Sequence, residues 1–206
     1  MTRGERTGWT IVVLSTIAMT VALRSRQEAN IWIATGVVAA AALIAVAVFD
    51  RPRMMEMLKI RSGSISWGIA TGLLFIVLTH AVTRAAFAID PRARELVDRL
   101  YASIQDPPGA VAAFPVIALV AFMEEVVWRG VLVDLLKKQK LGAAFVLAVL
   151  IYSIPQFLDG NLALAFAAIG CGSVWTALRL WRDDVVTPFV NHVIWNLGVF
   201  VVVPLR

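Results

Sequence analysis

The chain has 206 residues, of which 60% are hydrophobic, and its mean hydropathy is +0.80. Apolar stretches of this length and number do not fit inside one soluble domain, so they predict a polytopic helical membrane protein. The formal net charge of +5 comes from lysine and arginine residues clustered in short loops, a distribution typical of membrane orientation rather than nucleic-acid binding. The single cysteine, Cys171, excludes an internal disulfide and a cysteine-rich metal site.

Seven apolar stretches predict an all-α membrane bundle of about seven transmembrane helices. They cover residues 9–23, 30–49, 66–89, 109–136, 142–157, 161–181 and 185–204. The first stretch has an arginine-bearing flank like that of a signal peptide, but no small-residue cleavage site follows it, so it is interpreted as a membrane helix. Lysine and arginine outside the spans are more numerous at the N-terminus and in the even-numbered loops, which predicts a cytoplasmic N-terminus.

Two segments between the spans predict helices at the membrane surface. Residues 51–61 are rich in methionine and basic residues, and residues 90–105 carry apolar side chains at helical spacing. The second segment is expected to be a connecting helix packed on the bundle or, alternatively, to lie on the membrane surface and gate lateral access. One membrane domain is expected, with N-terminal helices and an interfacial helix in residues 1–108 and a core of further helices in residues 109–206.

Two acidic residues in the fourth span are the most informative feature of the chain. Glu124 and Glu125 lie in an otherwise apolar run, and Arg129 follows one helical turn later. A carboxylate at bilayer depth costs several kcal/mol unless it is paired, hydrated or neutralised, so the pair predicts a functional site. Glu125 and Arg129 share a helix face and are expected to pair as a structural element. Glu124 lies about 100° round the helix and stays free to hold water. The alternative is that these charges only join helices.

A second polar group lies on the last span. His192 and Asn196 are four residues apart and therefore project from one helix face. They are expected to face a common site or, alternatively, to join helices. His80 and Arg84 on the third span have the same spacing, but Arg84 is close enough to the span end to reach the membrane surface. With only two histidines and no HExxH pair, a zinc site is disfavoured, and no cofactor is expected.

With these residues identified, residues 109–204 resemble the CPBP family, which groups the CAAX prenyl endopeptidases with bacteriocin-processing proteases and related membrane proteins. The EExxxR motif of that family corresponds to residues 124–129, and its later motif of His followed by a polar residue corresponds to His192 and Asn196. The family's FxxxH motif falls on residues 152–156, where this chain has Gln156 in place of the histidine.

The resemblance implies a glutamate-type protease. In that mechanism Glu124 is the general base, Gln156 replaces its histidine partner, and His192 and Asn196 face the developing oxyanion. Glutamine orients a water molecule but takes up no proton, so activity is expected to be low, redirected or absent. Whether Gln156 is natural or an inactivating replacement is left open by the sequence.

The resulting prediction is an intramembrane endopeptidase that cleaves a membrane-tethered or lipid-modified protein near its terminus. A composition rich in alanine, with arginine preferred to lysine, is typical of a GC-rich bacterial gene. The protein is therefore expected in a bacterial inner membrane. Its expected substrate is a protein with a sorting tag or a bacteriocin leader. A catalytically impaired relative that acts as a membrane scaffold is the first alternative. A small transporter that uses Glu124 as proton carrier is the second, and the lack of repeat symmetry disfavours it.

Overall fold

The computed structural model describes residues 1–103 and 107–205, and all regular structure within them is helical. The predicted all-α membrane fold is confirmed. The helices are α1 (Arg3–Arg24), α2 (Ile31–Phe49), α3 (Arg51–Met57), α4 (Ser64–Ile89), α5 (Arg92–Ser103), α6 (Phe114–Glu124), α7 (Val133–Leu136), α8 (Leu141–Asp159), α9 (Leu162–Arg182) and α10 (Val186–Asn196).

Five of these helices, α1, α2, α4, α8 and α9, are long and apolar enough to cross a membrane. The other two predicted spans are helical rods that change type along their length. In the fourth, a π-helical segment (Glu125–Leu132) joins α6 to α7, and in the seventh a π-helical segment (Leu197–Val202) continues α10. The fourth rod also begins at Phe114 rather than at Gly109. Wider π turns are frequent at functional sites, and here each one starts directly after a candidate site residue.

Helices α4 and α10 lie unusually close together. A Cβ atom on Gly68 would lie 2.6 Å from the Val190 Cβ, and one on Gly72 would lie 3.0 Å from the Ile194 side chain. Small residues at this spacing let two membrane helices approach at backbone distance. The close contact fixes α10, which carries His192, against the bundle.

A polar network stabilises the N-terminal end of α10. Asp184 accepts a hydrogen bond from the Thr187 amide at 2.6 Å and another from the Ser64 hydroxyl at 3.0 Å. Nearby, Arg179 donates to the Arg129 carbonyl oxygen at 3.0 Å and to Asp134 at 2.8 Å. These bonds join the start of α10 to α4, and they join α9 to the first π-helical segment and to α7.

The amphipathic segment that the sequence predicts at residues 90–105 contains α5, and its last residues, Ile104 and Gln105, lie outside the described part of the chain. The Tyr101 hydroxyl donates to the Val199 carbonyl oxygen at 2.5 Å and accepts from the Leu205 amide at 2.9 Å. These bonds hold α5 against the end of the rod that carries His192.

Candidate active site

A cavity of about 190 Å³ lies between α2, α5, α6, α8, α9 and the last rod. Most of its lining is apolar. Its wall includes the four side chains that the sequence singled out as catalytic candidates, namely Glu124, Gln156, His192 and Asn196. These residues come from three different helices, so the fold brings together groups that are up to 72 positions apart in the sequence.

Glu124 ends α6, immediately before the first π-helical segment, and it is 8% exposed. One of its carboxylate oxygens, Oε2, accepts a hydrogen bond from the Tyr152 hydroxyl at 2.8 Å. The same oxygen lies 3.9 Å from His192 Nε2. Glu124 is therefore held at the cavity wall, with an imidazole nitrogen just beyond hydrogen-bond distance.

The imidazole of His192 is fixed on two sides. Its Nδ1 lies 2.9 Å from Glu125 Oε1, and its ring stacks on Trp175 with centroids 3.4 Å apart and planes 18° apart. Trp175 is itself fixed, since its Nε1 donates to Asn191 Oδ1 at 2.9 Å. Because a carboxylate only accepts hydrogen bonds, the Nδ1 contact assigns a proton to that nitrogen. Nε2 is then the nitrogen that faces Glu124 across the cavity.

Glu125 and Arg129 are both buried, and Arg129 Nη1 lies 3.6 Å from Glu125 Oε1. This distance allows attraction but is too long for a good hydrogen bond. The nearer partner of Glu125 is His192, a contact that spacing along one helix does not reveal. The Arg129 guanidinium also lies over the Tyr152 ring at 3.8 Å, a cation–π contact. Arg129 therefore supports both glutamates, one directly and the other through Tyr152.

Two amide side chains also contribute to the polar part of the wall. Gln156 and Asn196 are each 5% exposed, and Gln156 Oε1 has no hydrogen-bond partner among the described residues. Within the same residues, no side-chain hydrogen bond involves Asn196. A buried amide without a partner is costly unless water or a ligand completes its bonding. Both amides are thus available to a molecule that enters the cavity.

Three contributing residues were not identified from the sequence: Tyr152, Trp175 and Asn191. Aromatic residues in apolar helices are usually core, and only the spacing of Tyr152, one turn before Gln156, gave a hint of its position. His80 and Arg84, the other intramembrane pair considered, do not line this cavity.

One comparison with known proteins finds a similar family. The family model described as type II CAAX prenyl endopeptidase Rce1-like matches residues 106–198. Over these residues the chain is similar to that family. The matched segment covers a little under half of the chain and includes the four catalytic candidates of the cavity wall. No curated protein and no solved structure matches the chain. The family is one of CAAX-type membrane proteases, and the apolar helices of this chain agree with an integral membrane protein.

Proposed function

We propose that this protein is a glutamate-type intramembrane endopeptidase that acts on a membrane-tethered or lipid-modified protein. The observation that carries the proposal is the arrangement of Glu124, His192 and Asn196 around one cavity, with Glu124 Oε2 3.9 Å from His192 Nε2. A water molecule between these two atoms would lie within reach of both.

Glu124 is the general base in the proposed reaction. It takes a proton from water while the water oxygen bonds to the scissile carbonyl carbon, and the electron pair of the C=O bond moves to the carbonyl oxygen. The tetrahedral intermediate then collapses, the C–N bond breaks, and the leaving amine takes the proton from Glu124. The Tyr152 hydroxyl holds the carboxylate in one orientation through these steps, since it donates to Oε2 at 2.8 Å.

His192 and Asn196 stabilise the oxyanion in this proposal. The Asn196 amide has N–H donors that no described residue occupies, and His192 Nε2 donates when the ring carries both protons. Donors that are preorganised at an oxyanion contribute about 3 to 4 kcal/mol each. Gln156 orients the attacking water through hydrogen bonds, but it takes up no proton.

The proposed mechanism assigns no metal. Catalytic zinc requires about three protein ligands, and His192 already commits Nδ1 to Glu125. Among the described residues, no group of three His, Cys, Asp or Glu side chains is placed to hold a metal ion. In the proposal the Glu124 carboxylate activates the water directly.

The largely apolar lining supports a substrate that reaches the cavity from the lipid phase. The lining residues Ile31 on α2, Gln156 on α8 and Leu164 on α9 all lie near the helix ends on the side opposite the N-terminus. With the N-terminus in the cytoplasm of a bacterial cell, as we propose, the cavity lies toward the outer face of the inner membrane. A sorting tag or leader next to a membrane anchor fits this position.

The proposal is tested with purified protein in lipid vesicles and a panel of peptides, each presented once with a membrane anchor and once without. Cleavage of anchored peptides, its near absence for free ones, and its loss in Glu124→Gln are expected. The Glu124→Gln preparation also controls for contaminating proteases. Binding of the anchored peptides without any cleavage would contradict the proposal and favour a scaffold.

A further inference from the structure

A second and larger cavity lies far from the candidate active site. It is a groove of about 750 Å³ between α1 and α2, and it shares no residue with the first cavity. On α1 it extends from Arg3 to Ala18, which at 1.5 Å per residue is about 22 Å. One leaflet of a bilayer, with half of the hydrocarbon core and its headgroup region, is about 20 to 22 Å thick. The groove therefore has the length of one lipid molecule in its leaflet.

The charge at one end of the groove differs from that of its surroundings. Arg3 and Arg6 line this end, and neither forms an ion pair with a described residue. Their neighbour Glu5 is already bound to Lys138 at 2.6 Å. Several other basic residues on this side of the protein do have acidic partners, for example Arg53 with Asp50 at 2.8 Å. Two guanidinium groups without counter-ions at headgroup depth match a phosphate, which arginine binds with paired N–H donors.

The rest of the groove suits an acyl chain with a polar group near its middle. Small residues such as Ala41 and Ala45 leave space between the helices, while Leu14 and Val37 provide exposed apolar surface. Ser15 also lines the groove, is 5% exposed, and makes no hydrogen bond within the described part of the chain. A hydroxyl group at this depth in a bilayer favours a polar partner, which a ligand atom or water can supply.

We infer that this groove is a binding site for one anionic glycerophospholipid. The phosphate lies between Arg3 and Arg6, and one acyl chain follows α1 past Ser15. Basic side chains next to an anionic headgroup contribute about 1 kcal/mol each, so loss of both arginines should weaken binding about 30-fold, or about 2 kcal/mol. The inference does not depend on the protease assignment, because it concerns binding alone.

The test uses the full-length protein in detergent and measures bound lipid by native mass spectrometry during titration with phosphatidylglycerol or with phosphatidylcholine of the same chains. We expect one tightly held phosphatidylglycerol, weaker phosphatidylcholine binding, and no competition by inorganic phosphate. The double variant Arg3→Ala/Arg6→Ala should raise the Kd for phosphatidylglycerol about 30-fold. Lys140→Ala, which removes an exposed basic residue outside the groove, should leave the Kd within about twofold.

A second variant tests the groove without changing charge. Ala41 is exposed to the groove, so Ala41→Phe fills the space of the acyl chain while both arginines remain. It should also weaken phosphatidylglycerol binding, by at least about tenfold. Equal binding of the two lipids, an unchanged Kd in Ala41→Phe, or an equal loss in Lys140→Ala and the double arginine variant would overturn the inference.

Discussion

Removal of a single hydroxyl group tests how Glu124 is positioned. Tyr152→Phe deletes the donor to Glu124 Oε2, now 2.8 Å away, and keeps the ring under the Arg129 guanidinium at 3.8 Å. A hydrogen bond to a charged group contributes about 1.5 to 3 kcal/mol. If that bond holds the base in its reactive orientation, kcat should fall roughly 10- to 150-fold. KM should change little, because the ring that lines the cavity remains.

The assay is steady-state cleavage of an anchored peptide by protein in vesicles, with kcat and KM measured separately. The chain offers a matched control, since its only other tyrosine, Tyr101, is also buried and donates to the Val199 carbonyl oxygen. Tyr101→Phe should lower the thermal midpoint and leave kcat within about threefold. A Tyr152→Phe enzyme with wild-type kcat, including one in which only KM changes, would refute the positioning role.

Three further changes address the surroundings of the site. Arg129→Ala should lower folded yield more than kcat per folded molecule, because loss of one partner of a buried ion pair costs about 3 to 5 kcal/mol; normal yield and melting temperature would contradict this. Gln156→His should raise the cleavage rate, since it adds a group that exchanges protons; an equal or lower rate would show that this amide has another role. A hydrogen bond from Arg179 holds the pKa of Asp183 at about 2, below its ordinary 3.8, so its contribution to stability is complete above pH 4 and is lost as pH falls toward 2. Asp183→Asn should make the melting temperature less dependent on pH over that interval. The stability involved is at most about 1 kcal/mol, because the side chain is half exposed. An unchanged slope of melting temperature against pH would count against the bond.

Much of the candidate site follows from helix periodicity. Because membrane helices offer few partners for polar groups, the intramembrane Glu124 could be expected to face the same interior as His192 and Asn196, and all three line one cavity. The approach of Arg129 to Glu125 follows in the same way from their spacing of four residues. These positions are predictable since one rule, the cost of polar groups in lipid, decides them all.

Other features depend on contacts between helices and have no local pattern. The sequence predicts an uninterrupted fourth span, whereas the structure has a π-helical segment from Glu125 to Leu132. Apolar residues suit α and π turns equally well, so composition does not distinguish them. The bond between Glu125 and His192 joins residues 67 positions apart, and the Trp175 ring that stacks on the imidazole comes from a third element. Such pairings are set by packing rather than by spacing along one helix.

The kcat of Glu124→Gln in lipid vesicles tests most directly the proposal that Glu124 is the general base. The matched control is Glu95→Gln, which changes an exposed glutamate on α5. The amide keeps the size of the side chain and can still accept the Tyr152 hydrogen bond, but it takes no proton from water. We predict that kcat falls by roughly 100- to 10,000-fold while peptide binding persists, and that Glu95→Gln behaves as wild type. A Glu124→Gln enzyme that still turns over anchored peptides at the wild-type rate would contradict the account.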